Sequence, residues 1–334
     1  MEQLASNWRE NYKNDPPRVI PPVISYEDTT HRGFWARVFI KGNSAMRQGF
    51  PPAANTDVDD IPEPPTYEPV TKVGDQWDLG PHRLVIGDSC DPAVIAAAVG
   101  EKPADLLVTD PPYNVAYEGK TKARLEIKND SMTATAFLNF LHQALAAAHA
   151  RIGSGGGGCY IFYASAEGPT FRAAMELAGW RYAQDLVWIK DRFVLSRQDY
   201  HWQHEPILYG WKPGAAHRWY GGFTPTTTIH EARPSRNEDH PTSKPVKLIG
   251  RLIENSSRAG DTVLDPFGGS GSTLIAAHAT RRRCATVELD PRYGDVIARR
   301  WQAHAGVLPV KDGTAVDFVA HHNLWKERAA KEVG

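Results

Sequence analysis

"TVLDPFGGSGSTLIAA" (residues 262–277) carries a short apolar run through a glycine-rich turn into a helical pattern. The run up to Leu264 reads as a buried strand ending at Asp265. Pro266 and Phe267 follow, then Gly268, Gly269, Ser270 and Gly271, and a helix begins near Ser272. Glycines between a strand and a helix let the backbone come close to a ligand at the helix N-terminus, where N–H groups lack partners. No lysine precedes Ser272-Thr273, so the turn does not match a phosphate loop, and it does not fit G-x-G-x-x-G either. The next strand, "CATVELD" (284–290), carries Glu288 near its C-terminal end, where a carboxylate suits a ribose diol. The turn therefore points to a nucleoside without a pyrophosphate.

Strands and helices alternate on both sides of this stretch. "RLVIGDS" (83–89), "DLLVTD" (105–110), "CYIFYA" (159–164), "DLVWIK" (185–190) and "EPILYGW" (205–211) read as strands. "DPAVIAAAVGE" (91–101), "TATAFLNFLHQALAAAHARI" (133–152), "GPTFRAAMELAGW" (168–180) and "YGDVIARRWQAHAG" (293–306) read as helices. So does "TSKPVKLIGRLIENSSRAG" (242–260), expected to begin at Thr242 or Ser243 and to close at Gly260. This alternation predicts an α/β fold with a doubly wound, mostly parallel sheet covered on both faces. The first 73 residues differ: they hold ten of the 25 prolines, and the acidic part from Asp57 to Glu68 reads as an extended linker. A proline-rich arm over 1–73, with one strand in "GFWARVFIKG" (33–42), is expected before a main domain over 74–334.

A second strand, "DLLVTDPPYN" (105–114), also ends in Asp-Pro. The chain supplies its own control in "NDPPR" (14–18), which has no apolar run before it and an arginine after it, and reads as a turn or extended arm. At Asp110 a buried strand leads in and a tyrosine follows, a pattern that turn chemistry alone does not require.

Bulk properties narrow the setting. The chain of 334 residues is 41% hydrophobic and has a formal net charge of -1, so a polyanion-binding surface must come from local segregation of charge. Cys90, Cys159 and Cys284 lie far apart without a C-x-x-C pair, which argues against a disulfide framework and a metal site. There is no run of membrane-spanning length, and "MEQLASNWRENYK" (1–13) lacks a signal peptide's apolar core, so a cytoplasmic location is expected.

Together, "DPPY" (110–113) and "DPFGGSGST" (265–273) resemble the amino-methylating DNA methyltransferases. The catalytic motif precedes the cofactor motif, which resembles the circularly permuted, beta-class order, and the resemblance covers roughly residues 77–305, including "HPTSKPVKLIGRLI" (240–253). It implies a Rossmann-like methyltransferase sheet with an inserted target-recognition region at about 191–240. It also implies S-adenosyl-L-methionine as methyl donor and double-stranded DNA as substrate. A homodimer is compatible with it, and a restriction partner is left unspecified.

The chemistry of such a reaction fits the motif. An exocyclic amine is a poor nucleophile because its lone pair is delocalised into the ring. Asp110 can accept one of its N–H groups and the Pro111 carbonyl the other. Pro111 and Pro112 stiffen the turn, and Tyr113 can stack on a base rotated out of the duplex. The resemblance further implies that Asp265, Phe267, Gly268, Gly269, Ser270, Gly271 and Ser272 line the methionine and ribose part of the cofactor. Glu288 would hold the ribose hydroxyls, and Asp88 would lie near the adenine amine. Thr242, Ser243 and Lys244 would meet the methionine carboxylate. Aspartate at position 110 favours adenine N6; cytosine N4 stays open, as does a DNA-binding relative without turnover.

Residues 181–258 contain 12 basic and 8 acidic residues, five histidines and many aromatics. That mixture suits phosphate contact and base stacking. Arg192, Arg197, Arg218, Arg233 and Arg236 are the expected DNA contacts.

Overall fold

The computed structural model describes residues 50–51, 58–114, 132–195, 199–233 and 243–332. The "GFWARVFIKG" strand and the "NDPPR" copy lie outside them, as do Thr242, Arg197 and Arg236.

Eleven strands form one sheet among the described residues. Its centre is parallel: β2 (His82–Ile86), β9 (Arg283–Glu288), β8 (Thr262–Asp265), β3 (Leu106–Thr109) and β4 (Gly158–Phe162) lie side by side in that order. Beyond β4 the sheet turns antiparallel through β6 (Trp202–Trp211) and β5 (Arg181–Val194), with β7 (Thr228–His230) at the edge. On the other side, β1 (Gln76–Leu79), β10 (Val310–Lys311) and β11 (Thr314–Ala315) continue from β2 in antiparallel fashion.

The pleat sends alternate residues to two cores. Leu106 and Val108 of β3 join one and Leu107 the other; Val263 and Leu264 of β8 divide in the same way. The first core is closed by α4 (Val246–Ser256), α5 (Ser272–Ala279) and α6 (Pro291–Ala305). The second is closed by α1 (Pro92–Val99), α2 (Ala134–Arg151) and α3 (Gly168–Leu177). Capping follows the sequence: Asp91 caps α1, Thr133 caps α2 and Asp290 caps α6, each accepting a backbone N–H from the first turn. A last helix, α7 (Phe318–Glu332), follows the small β10–β11 hairpin.

Two expectations need adjustment. α4 begins at Val246, after Pro245, and not at Thr242 or Ser243. A residue before proline is pushed towards extended backbone, so Lys244 stands outside the helix. The helix also stops before Gly260, because Ser257 is extended and its hydroxyl donates to the Ile253 carbonyl. The described part of the arm, 58–73, is held on the domain. Asp295 of α6 accepts the backbone N–H groups of Val70 and Thr71 at 2.9 Å each, Arg299 donates to the Glu63 carbonyl, and Ile61 is buried. Proline-rich backbone with few internal bonds is tied down by side chains from the domain.

The topology itself selects a ligand site. From β8 the chain crosses to β9 on one side, whereas from β3 it crosses to β4 on the other. Open α/β sheets bind ligands outside the strand carboxyl ends at such a switch point. The Asp110 and Asp265 turns both lie there.

Candidate active site

The two turns are joined at their base. Thr109 at the end of β3 donates to Asp265 Oδ1 at 2.9 Å, and both residues are buried. Asp265 Oδ1 also accepts the Phe267 N–H at 3.1 Å, which bends the chain back after Pro266. Ser89, past β2, donates to the Pro266 carbonyl at 2.5 Å.

The Asp265 turn is built by backbone. Gly268 donates to the Val287 carbonyl, and a Cβ there would stand 2.6 Å from Thr286 Oγ1. Gly269 (φ 50°) and Gly271 (φ 81°) are left-handed, and Gly271 is the N-terminal cap of α5. A Cβ on Gly269 would meet nothing nearer than 4.0 Å, so its solvent-facing side is open. Glu288 fixes the turn from the neighbouring strand: its carboxylate accepts the N–H groups of Gly269 at 2.7 Å and Asp290 at 2.9 Å. Arg300 of α6 braces the turn from behind, donating to the Ser270 carbonyl at 2.9 Å and to Ser272 Oγ at 3.1 Å. Burial pushes the carboxyl groups of Asp265 and Glu288 up to about 7 each, the hydrogen bonds they accept offsetting only part of that cost. A glycine turn in which Gly268 has no room for a side chain and Gly269 and Gly271 take left-handed backbone, open in front and flanked by a carboxylate at the end of the next strand, fits the methionine-and-ribose end of a nucleoside cofactor. Asp88 is exposed beside it and accepts the Cys90 N–H at 2.9 Å; the helix cap is Asp91.

The Asp110 turn is built by side chains. Pro111 is buried and Pro112 half-buried. Asn114 closes the turn in a left-handed conformation (φ 57°), which asparagine tolerates. Its amide pairs with the Met132 backbone at 2.6 and 3.1 Å. Tyr113 donates to Asp110 Oδ1 at 2.5 Å and Lys244 donates to Oδ2 at 2.7 Å. Lys244 also pairs with Glu205 at 3.2 Å, and Lys190 donates to the other oxygen of Glu205 at 2.5 Å. The Lys244 ammonium sits 5.2 Å from the Tyr113 ring centre and 5.4 Å from that of Phe162. Burial and the Glu205 charge raise the Asp110 carboxyl above the usual range, against the pull of Lys244 and Tyr113. For Lys244, two carboxylates outweigh burial and hold the ammonium above the ordinary lysine value. Glu205 ends below its ordinary value, because the two lysines outweigh its burial.

Lys244 thus lies on Asp110, whereas the resemblance puts it at the methionine carboxylate. The extended backbone before Pro245 carries it to the Asp110 carboxylate. Ser243 is half-buried beside it. Lys190, Glu205 and Arg300 were not singled out by sequence, though a lysine closing one apolar strand segment and a glutamate opening the next are a signal in themselves.

The arginines separate. Arg192 and Arg233 share Asp191, at 3.0 and 3.8 Å, next to Lys190 on the active-site side of β5. Arg218 lies apart from these: its guanidinium pairs with Asp105 and donates to the Gly155 carbonyl. Asp105 precedes β3, so Arg218 braces the opposite end of the sheet from Asp110, about 16 Å of strand away. No helix among the described residues is long and apolar enough to cross a membrane.

Comparisons with known proteins agree with this geometry. Residues 104–299, more than half of the chain, match the DNA methylase family of N6/N4 methyltransferases. The chain is 27% identical over 231 residues to the DNA adenine methyltransferase YhdJ of Escherichia coli, covering 59% of this chain and 75% of that one. It is 30% identical over 148 residues to the Type II methyltransferase M.Cfr9I of Citrobacter freundii, covering 39% of this chain and spanning about half (47%) of that protein. Among solved structures, the fold resembles the M1.HpyAVI complex with SAM (TM-score 0.50, 21% identity, 65% of this chain and 98% of that one). It also resembles the cytosine-N4-specific PvuII DNA methyltransferase (TM-score 0.52, 15% identity, 70% and 89%). The chain therefore belongs to the DNA methylase family, as an amino-methyltransferase with its motifs in the beta-class order and S-adenosyl-L-methionine as cofactor.

Proposed function

We propose that this chain methylates the exocyclic N6 amine of an adenine rotated out of double-stranded DNA. One observation carries the reading. Asp110 is the open end of an otherwise buried charge cluster, with 32% of its side chain exposed, and it stands at the switch point beside the glycine cradle. Gly268, Gly269 and Glu288 would hold the cofactor, which would supply an electrophilic sulfonium methyl. The protein's part is to make the amine nucleophilic. Asp110 and the Pro111 carbonyl accept its two N–H groups, which localises the lone pair on nitrogen and points it at the methyl. Tyr113 yields its bond to Asp110 Oδ1 when the amine arrives, and its ring stacks on the base, a contact worth about 1–3 kcal/mol that offsets part of the unstacking cost. Asp110, Pro111, Pro112 and Tyr113 form the catalytic set in this reading. Arg192 and Arg233 meet phosphates. The aspartate at position 110 and the likeness to an adenine methyltransferase both favour adenine.

Incubation with tritiated S-adenosylmethionine and unmethylated duplex DNA tests this. Label in N6-methyladenine after nucleoside analysis is the expected result. Label in N4-methylcytosine would overturn the choice of base, and unlabelled DNA would overturn the activity.

A further inference from the structure

Asp110 does not stand on a single partner. Lys190, Glu205, Lys244 and Asp110 form a continuous line of alternating charge, with successive contacts of 2.5, 3.2 and 2.7 Å. Side-chain exposure is 8% at Lys190, 19% at Glu205, 4% at Lys244 and 32% at Asp110, so the line opens to solvent most where the substrate amine would arrive. The four charges cancel, which is the condition for burying them at all.

The line depends on a part of the fold that is otherwise only sheet extension. β6 pairs with β4 through Ile207–Trp211, and its residues before Ile207 run past the C-terminal end of β4. There β5 lies across from it, with Trp188 opposite Glu205 and Lys190 two residues further along the same face. Trp188 is buried, and its indole donates to the Glu231 carbonyl at 2.8 Å, which anchors this end of the hairpin. The hairpin that bears the expected recognition region thus carries two charged residues directly into the catalytic cluster.

We infer that Glu205 and Lys190 are positioning residues for methyl transfer: Glu205 anchors Lys244, Lys190 satisfies Glu205, and through Lys244 they hold the Asp110 carboxylate in one orientation. The inference rests on the reading of Asp110 as the amine acceptor. Lys190 satisfies Glu205, so that Glu205 holds Lys244 without drawing it off Asp110. Among the described residues, the charged and titratable groups facing this line include Tyr113, which touches Asp110 and also faces Glu205, and Asp265, one hydrogen bond away through Thr109.

The two variants have opposite electrostatic signs. In Glu205→Gln an anion near Asp110 is removed, so Asp110 ionises more readily while Lys244 loses an anchor. In Lys190→Met an unsatisfied Glu205 competes for Lys244, so Asp110 loses part of its counter-charge. Single-turnover methyl transfer to excess unmethylated genomic DNA, followed from about pH 5 to about pH 9, reads both effects. Both plateau rates fall roughly tenfold. The acid limb moves down by about half a pH unit in Glu205→Gln and up by about the same in Lys190→Met, and Lys190→Arg restores rate and limb. S-adenosylmethionine affinity by calorimetry stays within about twofold, because neither residue touches the glycine cradle. Wild-type plateaus and limbs in both variants would overturn the inference. So would limbs that move together with weakened cofactor binding and a lowered Tm, the signature of a merely structural role. Should a single variant fail to fold, Lys190→Met combined with Glu205→Leu removes both charges at once. A wild-type plateau in that double variant likewise overturns it. Asp110→Asn is run alongside: if it remains active, the underlying reading of Asp110 fails, whereas an inactive Asp110→Asn with unaffected Lys190 and Glu205 variants rejects the inference alone.

Discussion

Two neighbouring strands end in the same dipeptide and then do opposite things. After Asp110-Pro111 the chain continues with a second proline, a tyrosine and a left-handed asparagine, and the result presents side chains. After Asp265-Pro266 it continues with Phe267 and three glycines within four residues, and the result presents backbone. The aspartates differ accordingly. Asp265 is buried and bonded only to neutral donors, the Thr109 hydroxyl and the Phe267 N–H among them. Asp110 is a third exposed and faces an ammonium. A carboxylate held by neutral donors shapes a turn. One held by a cation and left partly open is poised to accept a substrate's N–H. The residues after the dipeptide, and the charges that reach it from elsewhere, decide between scaffold and chemistry.

This contrast can be broken by mutation. The largest effect is expected from Asp110→Ala, which should lower methyl transfer by at least about a hundredfold, as loss of a charge-stabilising group does elsewhere. Its S-adenosylmethionine affinity should be nearly unchanged; turnover within about tenfold of wild type would contradict the role. Gly269→Val should do the reverse. Valine is strained at φ 50°, and the turn's bond to Glu288 would be lost, so calorimetry should show cofactor affinity weakened by about tenfold or more. Unchanged affinity would remove the cradle from the account.

A smaller effect concerns pH. Asp265 and Glu288 are raised to about 7 in the folded protein, against about 4 in an unfolded chain. Over that interval the folded state binds more protons, so their contribution is fully present below about pH 4 and is lost as pH rises through about 7. Asp265→Asn should therefore flatten the fall in Tm of the cofactor-free protein between these limits. An unaltered slope would mean that the Asp265 carboxyl is not held protonated. Glu205 has the opposite sign: its lowered value gives stability that is lost as pH falls.

The smallest effect tests which edge of the sheet meets DNA. Arg192→Ala should reduce the salt dependence of DNA binding by about one unit of slope, while Arg218→Ala should leave the slope alone and lower Tm. Equal slopes for both would erase the distinction between the two edges.

The parts of this picture that the sequence shows are local. Asp110, Tyr113 and Gly268–Gly271 are legible because a strand, a turn and a helix follow one another within a few residues, and their order carries the family resemblance. The alternation of strands and helices is legible for the same reason. Lys244 is not, because its direction depends on Pro245 delaying α4. Lys190 and Glu205 meet only through antiparallel register across a hairpin, and nothing in either segment alone specifies that pairing. Arg300 becomes visible only when α6 is seen to pass behind the glycine turn. The ion pair of Arg218 is likewise invisible in its neighbourhood: a basic residue among aromatics reads as a nucleic-acid contact, and its partner Asp105 lies more than a hundred positions earlier.

The central claim is that Asp110 activates an adenine amine held beside the glycine cradle. Nucleoside analysis of duplex DNA labelled in parallel by the wild type and by Asp110→Ala tests it most directly. The account predicts N6-methyladenine from the wild type and none above background from the variant; label of equal amount from both, or label in cytosine alone, would contradict it.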